Sequence, residues 1–177
     1  MINKSTLHIQ AIGPYSWWMA IENALTGAAG EHLVLSRLLS RGILASLSPF
    51  NAYKADILVN PTDGGKPLLI QVKTRTGKGP TKRWTMKSKH EAMTDSNLFY
   101  CFVDLSEEHP SVYVIPAKVV ARVIKTGHEK WLKTPGKRGQ KHNDNDMRSI
   151  INNLGLANKY APDGWMDEYL ENWELLT

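Results

Sequence analysis

With 177 residues and a mass of 19.9 kDa, the chain is long enough for one domain with a real core, and an apolar share of 42% argues against wholesale disorder. The formal charge is +5 and the sequence pI about 9.3, which admits a nucleic-acid partner without requiring one. No apolar run reaches the length of a membrane span, the first residues lead into no secretory signal, and the single cysteine, Cys101, excludes an intrachain disulfide and a cysteine-based zinc site; a cytoplasmic protein is expected.

Residues 1–16 suggest no element, and an N-terminal arm or a dimer contact is expected there. Ala24 to Arg41 has apolar residues near helical spacing, with Gly42 placed to cap its end. Ile43–Leu47 and Ala55–Val59 read as short strands. Leu68–Lys73 reads as a third, and the Asp63-Gly64-Gly65 turn before it predicts an antiparallel hairpin with the second. Leu98–Leu105 and Ser111–Ile115 carry the strongest strand patterns, and Pro116 opens a helix to Lys125. Residues 127–158 read as an irregular basic segment. Pro162 to Leu176 reads as a last helix, because Trp165, Tyr169, Trp173 and Leu176 recur at about i, i+4. This order predicts a single α/β domain, a mixed central sheet of about five strands flanked by helices, with its centre at 24–75.

The charge is uneven. Residues 66–90 hold eight Lys and Arg and no acid; Lys118 to Arg148 hold nine against Glu129, Asp144 and Asp146. Acidic stretches lie between and after these blocks. Two such blocks suggest surfaces for a polyanion.

The first block begins inside a strand that also carries chemistry. Gln71 and Lys73 share one strand face, and pairing through the 61–67 turn brings Asp56 to the same end of the sheet. Glu31 lies on a helix whose apolar stripe should dock there. Two carboxylates, an amide and an ammonium therefore converge. Mg²⁺, or Mn²⁺ in its place, is a hard cation that takes oxygen ligands. Glu31, Asp56, the Gln71 side chain and the Val72 carbonyl offer them. A metal so held suits phosphodiester hydrolysis, with Lys73 orienting the attacking water and stabilising negative charge.

Gly30-Glu31, Asp56-Ile57-Leu58-Val59 and Gln71-Val72-Lys73-Thr74 together resemble the PD-(D/E)XK nuclease superfamily over roughly Gly27 to Arg75. The resemblance implies a restriction-endonuclease-like fold and a Mg²⁺-dependent endonuclease acting on DNA. It implies Glu31 as the acidic helix residue, Asp56 and Gln71 as strand metal ligands, and Lys73 as the catalytic lysine. Ala55 stands where the family has its proline, and Gln71 replaces the usual acid, removing one negative charge. Weaker metal binding is expected, and a DNA-binding member without catalysis is the alternative. A third reading is an interaction subunit of a larger restriction or mobile-element system. A homodimer is expected if both strands are cut, since one site cuts one strand.

Arg75, Lys78, Lys82, Arg83, Lys87 and Lys89 flank the site and suit contact with a phosphate backbone. Trp84 among them either stacks on a base or anchors the segment in the core. Lys137, Arg138 and Lys141 form a second candidate phosphate contact. His128, His142 and Asn143-Asp144-Asn145-Asp146 lack the spacing of a calcium loop and read as a polar surface loop. His90 is either a proton shuttle or a satisfied histidine, and Cys101 packs as an inert core residue.

Overall fold

The computed structural model describes residues 14–49, 54–62, 64–77, 81–152 and 164–177. It is an α/β structure around a mixed five-stranded sheet, ordered β1-β2-β3-β5-β6. The strands are β1 (Ala45–Leu47), β2 (Ile57–Val59), β3 (Leu68–Arg75), β5 (Leu98–Asp104) and β6 (Ser111–Pro116). Pairing is antiparallel except between β3 and β5. β5 is buried along its whole length, as an inner strand of a sheet covered on both faces should be.

Helix α1 (Pro14–Ser40) is ten residues longer at its start than the sequence pattern predicts. Pro14 suits a first helical position, where its missing N–H costs nothing. Of the expected arm, 14–16 belong to α1 and 1–13 lie outside the described residues. The helix ends on Gly42 at φ +76. Ile43 and Gly42 donate to the Leu38 and Leu39 carbonyls, both at 3.0 Å, the paired bonds of a Schellman cap. Val34 and Leu38 pack on Ile57, Ile70, Val72, Cys101 and Val114, on one face of the sheet.

Helix α2 (Ala117–Lys133) covers the other face with Val120, Val123 and Ile124. It runs through Gly127, where the sequence reading lets it lapse. Beyond Lys125 its side chains are half-buried or exposed, yet Trp131 stacks on His142, ring centroids 4.1 Å apart, and His128 meets Asp144 at 2.7 Å.

Two strands lie where the sequence reading assigns no regular element. β4 (Arg83–Lys87) and β7 (Met147–Ile151) form a separate antiparallel ribbon. Its inner side, Trp84, Met86 and Ile150, packs on the α2 face of the sheet. A short 3-10 turn, Ser88–Ala92, follows β4.

The expected C-terminal helix is absent from the described part of 162–176. Two 3-10 turns, Asp167–Tyr169 and Trp173–Leu176, flank Glu171 at φ +52. Here the tail pairs with the outer edge of β6: Leu170 bridges Tyr113, and the Glu171 N–H donates to the Val112 carbonyl at 2.8 Å. The Glu171 carboxylate accepts from the Val112 N–H at 2.9 Å, from Trp173 Nε1 at 2.9 Å and from Arg37. The tail therefore crosses the sheet edge. Trp165 and Met166 join the core on the α2 face, while Trp173 and Leu176 join the core on the α1 face. Their helix-like spacing reflects this crossing. Covering the edge also removes a template for intermolecular strand pairing.

A candidate metal and nucleic-acid site at the open edge of β3

β2 pairs only with Leu68–Ile70, so β3 runs past it. Among the described residues, that edge of β3 has no strand partner from Gln71 onward, and the candidate residues gather there. Asp56 precedes β2, and its N–H donates to the Ile70 carbonyl at 2.8 Å, which sets it opposite Gln71. Its Oδ2 accepts from the Val72 N–H at 2.7 Å and from Gln71 Nε2. The carboxylate thus stands in for the missing strand. A residue's N–H and C=O point to the same strand edge, so the Val72 carbonyl is directed along the same open edge.

Gly30 brings the helix to this place. A Cβ there would lie 2.0 Å from Thr74 Oγ1, closer than any side chain tolerates. Only glycine lets α1 approach β3 at Thr74, and Glu31 follows at once. Burial raises the Glu31 carboxyl above its ordinary 4.5, and the negative charge of Asp56 raises it further. Two carboxylates competing in one half-buried place create a demand for positive charge. Lys73 answers part of it. Burial holds its ammonium below the ordinary 10.5, nearby Lys89 pushes the same way, and Asp56 and Glu31 oppose them.

The structure thus brings together Glu31, Asp56, Gln71 and Lys73, with the Val72 carbonyl beside them. Among the described residues no three His, Cys, Asp or Glu side chains form a metal cluster. Two carboxylates, a strand carbonyl and an amide are the available oxygen donors, a set that fits a hard divalent cation. Gln71 is the weak member, because it turns an N–H toward Asp56; as a ligand it would have to present its oxygen instead.

His90, read from the sequence as either a proton shuttle or a satisfied histidine, borders this neighbourhood. It is buried, 3% exposed, and its Nδ1 lies 2.8 Å from the Tyr100 hydroxyl. Tyr100 in turn is the register partner of Gln71 on β5. Burial, then Lys73 and Lys89, lower the imidazole to about 4, so it is a neutral, satisfied histidine near neutral pH.

Two expected nucleic-acid contacts belong instead to the core. Trp84 is 2% exposed, donates from Nε1 to the Val103 carbonyl at 2.9 Å and packs edge-on against Phe102 and Tyr113. Its alternative role, anchoring the segment, is the one present. Arg75 is buried and spends its guanidinium on Asp104 at 2.6 Å, Ser106 and the Gly77 carbonyl. Lys82 is half-buried, within 3.7 Å of Asp104 and 3.8 Å of Glu107. Arg83, Lys87 and Lys89 are exposed on and just after β4, and Lys137, Arg138 and Lys141 are exposed between α2 and β7; Lys78 lies outside the described residues. Asp144 and Asp146 hold His128 and Ser88 respectively, as a polar loop would. Cys101 is fully buried, which pushes its thiol well up from the ordinary value.

The fold defined here is α/β, with a mixed five-stranded sheet between helices. The same fold is found in a solved structure of a bacterial homing endonuclease, I-Ssp6803I, with a TM-score of 0.52 and 17% sequence identity, over 86% of this chain and 89% of that one. No family profile and no curated protein matches the sequence. No helix among the described residues is long and apolar enough to cross a membrane.

Proposed function

We propose that this protein is a divalent-metal-dependent DNA endonuclease of the PD-(D/E)XK type. One observation carries the reading: Asp56, Gln71, Val72 and Lys73 meet Glu31 at the unpaired edge of β3, in a fold shared with a homing endonuclease. Glu31, Asp56 and the Val72 carbonyl would hold Mg²⁺ or Mn²⁺, with Gln71 as a neutral fourth donor. Such an ion, when bound, acidifies a water and offsets charge on the phosphate. Lys73, its ammonium already destabilised by burial, is suited to orient that water and to pair with the phosphorane-like oxygens. Gly30 fixes how close Glu31 comes. Exposed Arg83, Lys87 and Lys89 lie on the segment leading away from β3 and suit contacts to the flanking phosphates. Two copies would be needed to cut both strands, so a homodimer is part of the reading.

The test is a nicking and cleavage assay on plasmid, linear and branched DNA with Mg²⁺ and Mn²⁺. Cleavage should vanish in Asp56→Ala and Lys73→Ala, both still folded; cleavage retained in both variants would sink the assignment. A second reading, DNA binding without cleavage, draws on the hydrogen bond by which Gln71 already satisfies Asp56. Salt-dependent DNA binding with no cleavage in either metal would favour it.

A further inference from the structure

The β4–β7 ribbon has an outer face that the core does not use. On β4, Arg83, Thr85 and Lys87 point away from the core and are exposed. Opposite them on β7, in register, stand Ile151, Ser149 and Met147. The face therefore carries a central hydroxyl pair, Thr85 and Ser149. A cation ends each side of the β4 row, and an apolar side chain ends each side of the β7 row. Met147 is 55% exposed. Neither row contains a carboxylate; Asp146, at the ribbon's end, lies 3.8 Å from Lys87, and Glu22 of α1 lines the cleft that Arg83 and Thr85 border.

The ribbon is also placed beside the candidate site. A cleft of about 330 Å³ lies between α1 and β4, with Asn23 and Thr26 on one side, Arg83 and Thr85 on the other, and Thr74 of the catalytic strand between them. Thr74 directly follows Lys73. The ribbon's outer face thus shares a cleft with the residue that follows Lys73.

We infer that the outer face of the β4–β7 ribbon is the element that reads DNA sequence, entering the major groove beside the cleaved phosphate. This rests on the nuclease reading above. Five-residue strands make a ribbon roughly 15 Å long, and the major groove is the groove that accepts a two-stranded ribbon. The pattern matches what the groove displays. Hydroxyls bond to base donors or acceptors, exposed Met147 and half-buried Ile151 suit thymine methyls, and Arg83 and Lys87 meet guanine edges or the groove's phosphate walls. A protein partner would be expected to meet a more apolar and less cationic face.

The experiment selects binders from a randomised duplex DNA library, with Ca²⁺ replacing Mg²⁺ so that bound DNA is not cut. Wild-type protein, Thr85→Ala/Ser149→Ala, Met147→Ala and Arg83→Ala/Lys87→Ala are compared, each checked for an unaltered melting transition. Wild type should enrich a motif. The hydroxyl pair variant and Met147→Ala should lose roughly tenfold discrimination at particular base positions. The cation pair variant should bind more weakly across sequences, with a shallower salt dependence. An unchanged motif in the hydroxyl and Met147 variants overturns the inference alone, as does wild-type binding with no motif. Failure of the wild type to bind any duplex at low salt overturns the nuclease reading, and the inference with it.

Discussion

Gln71 donates its side-chain N–H to the carboxylate of Asp56, fifteen residues earlier, across the hairpin that β2 and β3 form. A neutral amide thereby occupies the place where a second acid would repel the first. On the proposed reading, the bond trades metal affinity for a site that is quiet without metal. Gln71→Glu should reverse the trade. Without metal, loss of that bond and the new repulsion should cost about 1–3 kcal/mol. With Mg²⁺, the added charge should return stability as the ion binds. Thermal melts titrated with Mg²⁺ and EDTA check this; a Mg²⁺-induced rise no larger than that of wild type would remove Gln71 from the ligand set.

Gly30 and Gly27 sit one helical turn apart on α1 and should respond oppositely to alanine. At Gly30 the new methyl meets Thr74 Oγ1 at 2.0 Å and Thr74 Cβ at 3.0 Å, whereas at Gly27 nothing lies within 4 Å. Gly27→Ala should therefore stabilise by about 0.5–1 kcal/mol through helix propensity. Gly30→Ala should lose about 1–3 kcal/mol to overpacking, and lose cleavage more steeply than stability, since Glu31 moves with it. Urea denaturation and cleavage rates measured side by side test the pair.

Glu31 imposes a pH-dependent cost. Its folded carboxyl is raised above 4.5 by burial and by Asp56, so the folded state holds this proton more tightly than the unfolded chain does. Its stabilising contribution is complete below 4.5 and lost as pH rises through the folded value. Glu31→Gln keeps the group neutral throughout. The variant should be more stable than wild type at pH 7, and the gain should disappear near pH 4. Denaturant unfolding at both values is the measurement; an equal gain at both would mean that charge is not the cause.

His90 should titrate well below the ordinary imidazole range. Buried beside Tyr100 and near Lys73 and Lys89, it is held at about 4 against an ordinary 6.5. Between those values the unfolded chain binds the proton and the folded chain does not, so stability from this group falls as pH drops from 6.5 toward 4. An NMR titration should show one imidazole neutral at pH 5. Tyr100→Phe, which removes its hydroxyl partner, should cost about 1–3 kcal/mol if the ring nitrogen is left unsatisfied.

The α1–β3 region was legible because its signals are local and independent. The Gly42 cap, the Asp63-Gly64-Gly65 turn and two apolar strands each declare themselves over a few residues, and together they carry Glu31, Asp56, Gln71 and Lys73 to one end of a hairpin. β4 and β7 were not. Arg83, Thr85 and Lys87 alternate with Trp84 and Met86 as a half-buried strand should, but the density of Lys and Arg makes the stretch read as a solvated loop. Trp84 and Arg75 show the same effect: charge and aromaticity suggest a ligand, and only the packed structure reveals Val103 and Asp104 as their partners. The C-terminal segment misled for a different reason. Residues that serve opposite faces of one sheet are spaced, by the geometry of crossing its edge, much as residues on one face of a helix are.

That crossing gives the tail a role in the order of assembly. Trp165 and Met166 complete one core layer and Trp173 and Leu176 the other, yet all four are synthesised after every strand of the sheet. During translation the chain can form its hairpins and helices early, but neither layer can close until these residues leave the ribosome. A frameshift or nonsense codon upstream of Trp165 would therefore strip residues from both layers together, and the cell should meet such a product as a substrate for proteolysis rather than as a partly folded functional protein.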